Sequence, residues 1–357
     1  MKNPWIAWLA ASAIAACTLP ALADRAGGAP LSIDTDEFAT LPDGVRFPEG
    51  ITANPANGDI FAATFDTGTG AKPNKLVRFS RNGRVSAQKD FGATGLLGLG
   101  FRSGKVYILN FGASKLQRIA ANFDASTPVE DVATFPSIGA PAPRTVGNPD
   151  GSSDTITFGS SAFPAPNAMV FDRAGNLYVS DSFQGAIFRI ANATTCAPPC
   201  TVTLVSHDPL LATAGFPPFG ANGLALDADE STLFIANTGD NRVLRMALPS
   251  ASISVFAESI HGADGLLFDS GLLWVAGNQA DSVFALNDKG RIVARAGEFD
   301  GVDRDGTPRG LLFPASMVIV DGWMYVTNLA LPLTAAVGDE PEEDVTRWNI
   351  ARFRLPR

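Results

Sequence analysis

The chain has 357 residues, of which 46% are hydrophobic and 18% charged, and that balance describes a globular protein and excludes a disordered one. Its formal net charge is −9 and no run of Lys or Arg exceeds a pair, so nucleic acid and anionic membrane surfaces, which both need a basic footprint, are excluded as partners. The 35 Gly and 25 Pro are spread along the sequence, as many short strands joined by tight turns require.

Residues 1–23 read as a signal peptide. Lys2 is the only charge before Asp24, an apolar run starts at Trp5, and Ala21-Leu22-Ala23 supplies a small-residue cleavage site. The run is long enough to raise a membrane anchor, but Pro20 and the small-residue end favour cleavage. A second reading is lipidation at Cys17, which Ile14-Ala15-Ala16 precedes. The expectation is an exported protein, periplasmic or secreted, with no membrane span in the mature chain 24–357.

Along that chain one pattern recurs at intervals of 42 to 70 residues. Weaker copies come first, EGITANPANGDIFAATF from Glu49 and LGLGFRSGKVYILN from Leu97. Residues 135–166, rich in Pro, Gly and Ser, then form a predicted surface loop long enough to cover a pocket. The clearest copies follow: PNAMVFDRAGNLYVSDSFQGAIFRI from Pro166, ANGLALDADESTLFIANTGDNRVLRM from Ala221 and ADGLLFDSGLLWVAGNQADSVFAL from Ala263. The last, ASMVIVDGWMYVTN from Ala315, is interrupted by a second predicted surface loop over 332–347 and resumes as NIARFRL from Asn349.

Each unit reads as an apolar strand, a turn of Asp, Gly or Asn, a strand with a β-branched and aromatic core, and a third alternating strand. Most add a fourth, such as TVTLVS from Thr201. Four-stranded repeats of this length are propeller blades, and six of them use nearly the whole mature chain. The expected fold is therefore all-β: one six-bladed propeller over 24–357. Residues 37–41 supply the strand that the last blade lacks, so pairing of the two chain ends closes the ring. Cys196 and Cys200, in CAPPC, predict a local disulfide pinning a turn.

The first strand of every blade lines the central channel, so equivalent positions converge there. Down the register stand Glu49, Leu97, Asn167, Asn222, Asp264 and Ser316. Taken singly, an Asn or Asp ahead of a strand is as readily a turn former, and Glu49 a cap. Four oxygen donors at equivalent positions of four repeats point instead to a shared centre. Two carboxylates and two amide oxygens suit Ca²⁺, or another hard divalent cation; Zn²⁺ needs His or Cys, and neither is in register.

The motifs PEG around Glu49, PNAMVFD around Asn167, ANGLALD around Asn222 and ADGLLFD around Asp264 resemble those of the gluconolactonase and senescence marker protein (regucalcin) family of calcium-dependent hydrolases. The resemblance implies a lactone or related ester as substrate. It implies Glu49, Asn222 and Asp264 as metal ligands, Asn167 as a ligand or substrate contact, and Asp264 as the proton acceptor. The chain departs from the family at Leu97, which is apolar, and has no counterpart of the substrate-binding Arg residues of sugar lactonases. His261, three residues before Asp264, is a further candidate base at the pocket rim, with a surface-loop role as its plain alternative.

No G-x-S-x-G or H-E-x-x-H motif occurs, and GTGAK from Gly68 falls short of a phosphate loop. TGDNRV from Thr238 resembles the NHL repeat, which marks binding propellers too. The alternative from another class is an exported, non-catalytic propeller that binds ligand or protein, with calcium stiffening its hub. A strictosidine-synthase-like propeller without calcium is disfavoured by the four hub residues.

Overall fold

The computed structural model describes residues 28–356 apart from 69, 160–162, 249 and 335–337, so the predicted leader and Cys17 lie outside the described residues. Six antiparallel four-stranded blades stand in sequence. Their innermost strands are Pro48–Asn54, Leu96–Arg102, Pro166–Phe171, Ala221–Leu226, Ala263–Asp269 and Pro314–Val320. Each packs on the next and the sixth returns to the first, which closes the ring. Asp36–Thr40 pairs antiparallel with Asn349–Arg354, completing the sixth blade from the other end of the chain. No α-helix occurs among the described residues.

Turn chemistry explains the inner hairpins. Ser103-Gly104, Ser270-Gly271 and Asp321-Gly322 are two-residue turns with positive φ at both positions. That backbone matches the right-handed twist of the strands it joins, and Gly adopts it without strain. Alternation then buries one set of side chains between adjacent blades. Trp274 of the fifth blade, for example, packs against Phe353 of the sixth with ring centroids 5.7 Å apart.

Every innermost strand carries the same bulge. Pairing jumps from Pro48 to Ile51, Leu96 to Leu99, Pro166 to Met169, Ala221 to Leu224, Ala263 to Leu266 and Pro314 to Met317. The second bulge residue is Gly50, Gly98, Gly223 or Gly265 in four blades, and a Cβ there would strike the backbone of the next blade. At Gly223 it would lie 2.0 Å from the carbonyl oxygen of Asp264. Gly223→Ala is therefore expected to lower stability by about 3 kcal/mol, the upper range for overpacking, because backbone cannot move aside as a side chain can. Denaturant unfolding checks it; a loss under about 0.5 kcal/mol, the scale of an inert surface change, would contradict this packing.

Additions to the six blades lie where no repeat pattern was visible. Leu31–Ile33 adds a fifth strand to the fifth blade, parallel to Ile292–Ala296. Hairpins of Arg144–Gly147 with Ser153–Ile156, and of Phe299–Val302 with Pro308–Gly310, lie in the chain connections from the second blade to the third and from the fifth to the sixth. The first lies inside the segment expected as plain loop, and the 332–347 segment holds a 3-10 turn at Pro341–Asp344. Cys196 and Cys200 are disulfide-bonded in the connection between the last two strands of the third blade. Among the described residues no helix is long and apolar enough to cross a membrane.

Candidate metal centre

The bulge decides which side chains face the hub. Its first residue is Glu49, Leu97, Asn167, Asn222, Asp264 or Ala315, in blade order. Glu49, Leu97, Asn167, Asn222 and Asp264 all line one cavity, and all five are buried. Ser316 does not belong to this ring. It is the second bulge residue, equivalent to Gly98 and Gly223, and lines a different cavity with them. The expected register is one residue too late in the sixth blade, because Pro314 is the counterpart of Pro48 and Pro166 and Ala315 therefore holds the hub position.

A second tier orients the first. Ser182, Thr238 and Asn278 directly follow the second strands of the third, fourth and fifth blades. The Ser182 hydroxyl donates to the carbonyl of Ala221 at 2.7 Å, and that of Thr238 to the carbonyl of Ala263 at 2.7 Å. With its proton so placed, each hydroxyl oxygen can only accept. The group facing Ser182 must therefore be Asn167 Nδ2, at 2.9 Å, and the group facing Thr238 must be Asn222 Nδ2, at 3.0 Å. Both amide oxygens are thereby turned away from the second tier. Asn278 Nδ2 donates to Asp264 Oδ2 at 3.3 Å.

Three oxygens are left buried without any donor: Glu49 Oε2, Asn167 Oδ1 and Asp264 Oδ1. An unpartnered buried acceptor costs about 1–3 kcal/mol, more if charged, so three together call for a shared partner. Among the described residues that line the cavity there is no Lys, Arg or His to serve as one. Asn278 Oδ1 is also unpartnered and lies against Gly262, where a Cβ would collide with it.

Electrostatics say the same. Burial, and then the charge of Asp264, raise the Glu49 carboxyl well above its usual range. Burial pushes Asp264 up to about 7, against the opposing pull of the Asn278 amide that donates to it. Two such carboxylates need protons or a cation. Among the described residues there is no cluster of three or more His, Cys, Asp or Glu side chains, and no His or Cys lines this cavity. Two carboxylates with amide oxygens, held from behind by a second tier, fit a hard cation of the Ca²⁺ kind.

His261 takes no place in this arrangement: it is exposed and does not line the cavity. Sequence reading missed Ser182, Thr238 and Asn278. Their signal was available in the repeat, since a polar residue follows the second strand in three consecutive units, as VSDS, IANT and VAGN. It also missed the apolar half of the cavity, which includes Phe65, Phe219, Phe313, Leu329, Leu331 and Leu333.

No protein-family model matches the sequence, and no curated protein matches it. Solved structures do. The chain is similar to the calcium-binding protein regucalcin of Agrobacterium tumefaciens, at 14% identity and a TM-score of 0.59, over 92% of this chain and 98% of that one. A gluconolactonase of Xanthomonas campestris matches at 13% identity and a TM-score of 0.53, over 93% and 99%. Virginiamycin B lyase of Staphylococcus aureus matches at 14% and 0.53, over 90% and 99%. The structural neighbours thus include regucalcin and gluconolactonase, and at these identities the likeness establishes a shared propeller architecture.

Proposed function

We propose that this chain is a calcium-dependent hydrolase of a lactone or related ester, with Glu49, Asn167, Asn222 and Asp264 as its metal ligands. The observation that carries the reading is the set of buried, donorless oxygens of Glu49, Asn167 and Asp264 facing one cavity with no cationic side chain among its described lining residues. The lactone-specific part draws on the motif resemblance and on the gluconolactonase among the structural neighbours.

A bound calcium ion would supply Lewis-acid polarisation of the substrate carbonyl. The rest falls to the chain. Asp264 Oδ1 accepts a proton from water as the water oxygen bonds to the carbonyl carbon. The ring C–O bond then breaks, and the leaving oxygen takes that proton back, giving a hydroxy acid. Asn278 holds Oδ2, which leaves Oδ1 facing the cavity, where the carboxylate would both meet the cation and lie within reach of the water. The disulfide and the predicted leader support action outside the cytoplasm.

The test is hydrolysis of a panel of small lactones and aryl esters with calcium, after chelation, and after calcium is restored. Activity should disappear with the chelator and return with the metal. Calcium binding without turnover of any member would replace the hydrolase with the non-catalytic binding propeller.

A further inference from the structure

We propose that the site takes an uncharged lactone or ester bearing an apolar substituent, and turns away polyhydroxylated and anionic ones; the proposal rests on the hydrolase reading and narrows it. The cavity is two-sided. Its polar donors come from Glu49 and from the third to fifth blades, whereas Phe65, Leu97 and Leu329 come from the first, second and sixth. Phe219, Phe313 and Leu331, from connecting segments, extend the apolar side.

An aromatic chain links two rings of this wall, Phe65 and Phe219. Phe65 meets Phe111 edge-on at 5.3 Å, Phe111 meets Phe183 at 5.7 Å, and Phe183 meets Phe219 at 5.4 Å. The inner cavity is small, about 50 Å³, and shares Asn278, Phe313, Leu331 and Leu333 with a wider outer space of about 350 Å³. A lactone ring seated inside would leave its substituent against those leucines and Phe313. The Glu340 carboxylate ties down the end of the leucine segment, accepting from the Leu333 amide at 2.6 Å and the Thr334 amide at 3.0 Å.

Sugar hydroxyls would find little to bond. Asn167, Asn222 and Asn278 each already spend an amide N–H within the site, and Thr238 gives its proton to a backbone carbonyl. Anions would fare worse. Asp281, Glu340 and Glu342 line the outer space, and neither space has a Lys, Arg or His among its described lining residues.

Two measurements test this on the full mature chain with calcium. The first is kcat/KM for γ-lactones carrying methyl to hexyl substituents, against glucono-δ-lactone. The second is calorimetric affinity for the matching alkyl γ-lactams, which are not hydrolysed. Both should rise with chain length, by up to about fourfold for each methylene that becomes buried. The Leu331→Asn variant should flatten both slopes, and Leu331→Met should restore them.

A flat profile, or preference for glucono-δ-lactone, would overturn the apolar assignment and leave the hydrolase standing. Rising lactam affinity without hydrolysis of any lactone or ester would keep the apolar site and overturn the hydrolase. Lactams bound with no dependence on length, and no hydrolysis, would overturn both.

Discussion

Asp264→Asn is expected to abolish calcium binding and hydrolysis while making the metal-free protein more stable at pH 8. The two effects have one cause. Asp264 is fully buried, its carboxyl is pushed up to about 7, and Oδ1 has no donor. Holding it ionised above that pH costs the folded state about 4 kcal/mol, from the separation between the folded value and an ordinary aspartate at 1.36 kcal/mol per unit. The isosteric amide removes the charge and still accepts from Asn278 Nδ2. The thermal midpoint of the metal-free variant should therefore exceed that of the metal-free native chain by several degrees at pH 8. Added calcium should reverse the order, since a ligand present at about a thousand times its dissociation constant stabilises by ~4 kcal/mol. Scanning calorimetry with and without calcium checks both halves. A variant less stable than the native chain when both are metal-free would mean that Asp264 serves packing and not a cation.

The contrast between what the sequence disclosed and what it hid has a physical basis. Blade count and ring closure were legible because they are written in period-2 alternation and in turn residues such as Ser270-Gly271, which act locally. The inner register was legible wherever a polar residue interrupted an apolar strand, at Glu49, Asn167, Asn222 and Asp264. The same rule misled at Ser316, because a bulge puts two successive residues outside the ladder and polarity cannot say which of them faces the hub. Strand Leu31–Ile33 stayed hidden for another reason: three residues carry no period, and its partner Ile292–Ala296 lies far away in sequence. The apolar half of the cavity was invisible because Leu329 or Phe313 looks like any core residue until topology sets it across from Asp264. His261 was drawn in by closeness in sequence, yet the tight turn at Gly262 leaves it exposed while Asp264 is buried.

The stability of the metal-free protein should also run against the usual direction with pH. An ordinary aspartate or glutamate in the unfolded chain titrates near 4. Folding raises Asp264 to about 7 and Glu49 well above its ordinary value, in both cases chiefly through burial. Between those limits the native state binds more protons than the unfolded one, so stability falls as pH rises. The contribution is fully present below about pH 4 and is lost as pH passes through the folded values. Carboxyls lowered by hydrogen bonds, such as Asp124 at about 2, act only at more acid pH and leave the window from 5 to 8 clear. Glu342, raised by burial to about 6, adds to the same trend from outside the hub. Asp264→Asn separates the two sources, since only the hub part disappears with it. The metal-free midpoint should drop by several degrees between pH 5.5 and pH 8, and by clearly less in the variant. With saturating calcium the native curve should bend the other way, because the cation must displace those protons and so binds more tightly as pH rises, by up to about tenfold per unit for each proton released. Calcium titrations in two buffers of different ionisation enthalpy count the protons directly. If no proton were released at pH 6, or if the metal-free midpoints of native and variant chains ran parallel with pH, Asp264 and Glu49 would not be the carboxylates that hold the cation.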